Sequence, residues 1–95
     1  MVEEVLLELP HIQLVRVDSG AYCLIVEDTQ LNDYVEDFLW DDYEYQSTEV
    51  AIKEEANLAI YYNYFPADFP IEDVVDSLKE IDVNEVERVF QLNNQ

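Results

Sequence analysis

Ninety-five residues with 23 Asp and Glu against four Lys and Arg give a formal net charge of −19 at pH 7. A chain of this length makes one small domain, and a field of that sign repels nucleic acid and anionic membranes while attracting basic proteins. Apolar residues make up 49% of the chain and aromatics 13%, which excludes a disordered acidic tail.

Residues 2–9, VEEVLLEL, fit either a strand or a short helix stopped by Pro10. The same stretch carries acids where a secretory signal needs bases, and no apolar run approaches membrane-spanning length. The expectation is therefore a cytoplasmic protein without membrane contact. Cys23 is the single cysteine, which rules out an internal disulfide and fits a reducing compartment. Residues 11–17 are β-prone, Asp18-Ser19-Gly20 is a turn, and residues 21–26 read as the returning strand of a hairpin. Their apolar residues do not alternate cleanly, as expected of a strand covered on both faces for part of its length.

Residues 27–49 then hold nine carboxylates and no Lys or Arg. Thr29 is the candidate N-cap, with Glu27 and Asp28 beside it where a helix dipole favours negative charge. Leu31, Tyr34, Val35, Phe38 and Leu39 recur at i, i+3, i+4, i+7 and i+8, the apolar stripe of a helix over roughly residues 30–43. Asp33, Asp37, Asp41 and Glu44 line up on a different face, with Glu36 flanking it. If the helix persists through Trp40, that ring lies between Glu36 and the Asp33/Asp37 row. If it ends near Leu39, Trp40 folds back onto the core, the commoner fate of tryptophan.

Past Ser47, residues 50–53 and 58–64 alternate in polarity, and residues 54–57 would turn a second hairpin. A helix over residues 49–60 competes with that reading, because Ala, Lys and Glu are good helix formers. The β-branched and aromatic downstream half favours the hairpin. Pro66 and Pro70 bracket a loop, after which Ile71, Val74, Val75, Leu78 and Ile81 form a second helical stripe. Glu72, Asp73, Asp76 and Glu80 lie outside it as a second acidic face. Asp82 with Glu85 makes a capping-box-like start for a last short helix, with Val83, Val86, Val89 and Phe90 inward and residues 91–95 frayed. The order ββαββαα implies a small α+β domain, an antiparallel sheet of two hairpins with helices packed on one face.

Catalytic and cofactor chemistry has little to stand on. One His and one Cys cannot supply a zinc site, and the acidic runs lack the spacing and central glycine of an EF-hand. Gly-rich phosphate loops and nucleophile elbows are absent from the sequence. The expectation is a non-enzyme without metal or cofactor, working through charge and shape. Its candidate partner-binding residues are Asp33, Glu36, Asp37, Trp40, Asp41, Asp42, Glu44, Glu72, Asp73, Asp76 and Glu80. An inhibitor that mimics nucleic acid fits this pattern, because a nucleic-acid-binding enzyme or nuclease holds its substrate mainly through Lys and Arg contacts to phosphates. Carboxylates on a rigid helix can occupy the same basic groove, and the protein would not itself bind nucleic acid. In size, charge and helix-face acidity the chain resembles phage DNA mimics, namely anti-restriction proteins, anti-CRISPR proteins and uracil-glycosylase inhibitors. It resembles acidic nuclease-toxin immunity proteins in the same respects. Two other readings compete. One is an acidic adaptor or assembly module binding a basic protein unrelated to nucleic acid. The other is a merely solvated surface, of which a halophile's excess of acids is one version.

Overall fold

A computed structural model of the protein describes residues 2–43, 49–55 and 58–93. The elements run β1 (Val2–Leu9), β2 (Ile12–Val17), β3 (Tyr22–Glu27), α1 (Thr29–Tyr43), β4 (Glu49–Glu55), β5 (Leu58–Phe65), α2 (Ile71–Leu78) and α3 (Val83–Asn93). All five strands form one antiparallel sheet in the order β1-β2-β3-β5-β4. This is the expected α+β class with one strand more than the ββαββαα order allows.

The added strand is β1. It turns into β2 through Pro10 and His11, with Leu9 paired to Ile12. Its register shifts between Val5 and Leu7, so Leu6 and Leu7 both pack against the core. Such a bulge breaks the period of two, which is why the sequence of VLLEL leaves strand and helix undecided. His11 takes a positive φ of 62°, a conformation that histidine adopts more readily than most side chains. Its ring stacks on Phe90 of α3, centroids 3.5 Å apart and planes 7° from parallel.

The β2–β3 turn is as expected. Gly20, at φ 88°, lets its N–H reach the Val17 carbonyl at 2.9 Å. Residues 49–55 form a strand, so the hairpin reading holds over the helix. Pairing continues to Glu55 and Leu58, so Glu54 and Glu55 belong to β4 and not to the expected turn over 54–57, of which residues 56–57 lie outside the described residues. β3 and β5 pair directly and fuse the two hairpins into a single sheet.

The core lies between that sheet and the helices. Ile12, Leu14, Leu24, Val26 and Phe65 from the strands meet Leu31, Val35, Leu39, Val74, Leu78, Ile81 and Val86. The helix ends depart from expectation in four details. Asp28, not Thr29, caps α1: its buried Oδ2 accepts the Leu31 N–H at 3.0 Å, because Asp28 is the one residue between strand and helix. Thr29 instead accepts a hydrogen bond from the Tyr61 hydroxyl. Asp82 does cap α3, accepting from the N–H groups of Asn84 and Glu85 at 2.9 and 3.4 Å, but the Glu85 carboxylate turns to Arg88 and not back to the cap. Val83, on the first turn, is exposed. Finally, α3 continues to Asn93 past the expected fraying point.

Candidate partner-binding surface

The site is built on α1. Its buried side carries Leu31, Val35 and Leu39, and the opposite side carries exposed Asp33, Glu36 and Asp37. Because the helix continues to Tyr43, Trp40 does not fold back. It stands 52% exposed, and the spacing 33, 36, 37, 40 makes one contiguous patch, a tryptophan among three carboxylates. Asp41 and Asp42 lie on the last turn. Glu44 lies outside the described residues.

The electrostatics of α1 run against helix stability. The first turn carries no acid and the last turn no base. Asp41 and Asp42 occupy that last turn, and their side chains lie outside the described residues. Three of the four Lys and Arg side chains pair elsewhere. Lys53 bonds to Glu55 at 2.9 Å, Arg16 stands 3.6 Å from Glu4, and Arg88 pairs with Glu85. Among the described residues, no ion pair reaches Asp33, Glu36 or Asp37.

A pair of buried asparagines holds this surface in place, and sequence reasoning missed both. Asn63 Nδ2 donates to the Leu24 carbonyl at 3.1 Å and to Asn32 Oδ1 at 2.9 Å. Asn32 Nδ2 donates in turn to Glu36 Oε1 at 3.0 Å. A chain of hydrogen bonds thus runs from the middle of the sheet to one carboxylate of the patch. The readable signal was Asn63 itself, a polar residue at an inward position of an apolar strand, which must find a partner to be tolerated. On the other flank of α1, the Tyr34 phenol pKa is raised by burial and by the nearby Glu85 and Asp82 carboxylates.

The second acidic row is looser. Glu72, Asp73, Asp76 and Glu80 are all exposed, but Glu80 lies in the turn after α2, its N–H bonded to the Ser77 carbonyl at 3.0 Å. Glu72 and Asp73 occupy the first turn of α2, where they stabilise the helix whatever else they do. Among the described residues, no group of three His, Cys, Asp or Glu side chains is arranged to hold a metal, and no helix is long and apolar enough to cross a membrane. Compared with known protein families, characterised proteins and solved structures, the chain shows no significant match.

Proposed function

We propose that the protein is a non-catalytic inhibitor that acts in the cytoplasm, presenting α1 as a mimic of nucleic-acid phosphates to the basic groove of a nuclease or other nucleic-acid-binding enzyme. The observation that carries this reading is the exposed patch of Asp33, Glu36, Asp37 and Trp40, unrelieved by any cation among the described residues. Merely solvated acidic surface does not explain an exposed tryptophan at the centre of the patch.

The spacing is of the right order. Asp33, Glu36 and Asp37, all exposed, fall within about 6 Å of helix axis at 1.5 Å per residue. That is roughly one charge per 3 Å, comparable to the 3.4 Å of a single nucleic-acid strand. Carboxylates also accept bidentate hydrogen bonds from Arg as phosphates do. The Trp40 ring adds what a phosphate row lacks, an aromatic face for an Arg or Lys of the partner. Arg16, Lys53 and Arg88 pair locally, and the net field of −19 steers association.

The test is capture of partners at low salt, followed by release with rising salt or with double-stranded DNA. The mimic should retain nucleic-acid-binding enzymes, lose them steeply as the Debye length shrinks below about 8 Å, and inhibit them competitively with substrate. Affinity indifferent to salt would sink the reading. A partner that DNA cannot displace would mark the protein as an acidic adaptor.

A further inference from the structure

The buried cluster that joins sheet and helices uses one face of the sheet. On the other face, the cross-strand row Glu8, Gln13, Ile25, Tyr62 runs beside the row Glu27, Ile60, Lys53. Beside the Pro10-His11 turn these rows bound an open groove of about 630 Å³, with Ile25, Ile60 and Tyr62 in its lining and Glu8 and Glu27 among its walls. We infer that this groove receives an arginine side chain of a basic protein partner.

The lining matches that occupant part by part. Ile25 and Ile60 give the methylene stem an apolar surface. The Tyr62 ring offers a face to the guanidinium, and the two carboxylates offer acceptors to its planar fork. The Gln13 amide donates to Glu8 Oε2 at 3.2 Å, which restrains that carboxylate at the rim. Lys53 follows Ile60 in its row, but its ammonium bonds to Glu55 at 2.9 Å. Arginine suits the groove better than lysine, because guanidinium is more weakly hydrated and can stack. A second copy of the chain is a poor occupant, since it also carries −19 and would set like charges face to face. The groove faces away from α1, so this contact is separate from the one proposed for Trp40 and survives if that one fails.

The test is a titration of the full ¹⁵N-labelled chain with acetyl-arginine amide, acetyl-lysine amide and acetyl-citrulline amide. The arginine compound should saturably shift the amides of Gln13, Ile25, Glu27, Ile60 and Tyr62. The lysine compound should bind several-fold more weakly, and the neutral citrulline compound should not bind. Glu27→Gln should weaken the arginine effect about tenfold, whereas Asp37→Lys should leave it unchanged. The variant spectra confirm folding in the same experiment. Equal binding of citrulline would overturn the inference. So would arginine and lysine shifts that spread alike over α1 and α2 without saturating, the mark of diffuse charge attraction.

Discussion

Trp40 and Cys23 show how far exposure decides the role of a side chain. Trp40 is half exposed although it is the largest apolar residue in the chain, so its removal costs the fold little. Trp40→Ala should leave the melting temperature nearly unchanged and weaken partner binding by about 2 kcal/mol or more. The free protein's emission should be red-shifted and quenched by acrylamide; blue-shifted, unquenched emission would remove Trp40 from the site. Cys23 is the opposite case, buried on the sheet face away from the helices. Burial pushes its thiol from 9.0 up to about 11, against a smaller lowering by the hydrogen bond with Tyr64. The folded state therefore keeps this proton after the unfolded chain has lost it. The resulting stabilisation is complete below pH 9 and disappears as the pH rises towards 11. Urea denaturation should show stability falling across that window, and falling less in Cys23→Ala. An identical slope in the two proteins would refute the assignment. In the native protein at pH 8, the thiol should react with disulfide reagents only as fast as the protein opens.

At the scale of elements, α1 exists because the tertiary structure holds it. Its residues are mostly middling helix formers, and like charges three and four apart oppose it. Asp28 offsets this by capping the first turn from a buried position, and the Asn63–Asn32 pair ties the second turn to the sheet. Asp28→Ala should destabilise the protein by about 1 kcal/mol or somewhat more, read from the urea midpoint. Thr29→Ala should cost clearly less, because Thr29 contributes only an exposed hydroxyl contact; the reverse order would return the cap to Thr29. β4 is the other element under strain of circumstance, an edge strand with every residue exposed. Lys53, Glu54 and Glu55 on it discourage pairing with a further strand.

For the molecule as a whole, the dominant condition is a net charge of −19 on 95 residues. Self-repulsion at that density opposes compaction, and mobile ions screen it. Raising the salt at pH 7 from low to physiological strength should therefore raise the melting temperature, while it weakens the α1 contact with a basic partner. The two effects have opposite signs, and thermal melts beside binding curves over one salt series will separate them. A melting temperature that falls with salt would mean that local ion pairs such as Lys53–Glu55 outweigh the overall field.

The sequence by itself determined the chain's charge, its α+β class, the β2–β3 hairpin and the buried stripe of α1, and it favoured the second hairpin over a helix. These follow from periodicity and residue type, which act locally and need no knowledge of neighbours. The acidic face of α1 was equally legible, because 3.6 residues per turn places Asp33 and Asp37 opposite Val35 without any reference to the sheet. Only the tertiary structure decided where α1 ends, and with it that Trp40 is exposed. Helix ends are set by capping and packing partners distant in sequence, and propensity barely distinguishes position 39 from 43. The strand at residues 2–9 and the Asn63–Asn32–Glu36 chain have the same cause. Each rests on a contact with a residue far along the chain or on a bulge that erases the local period.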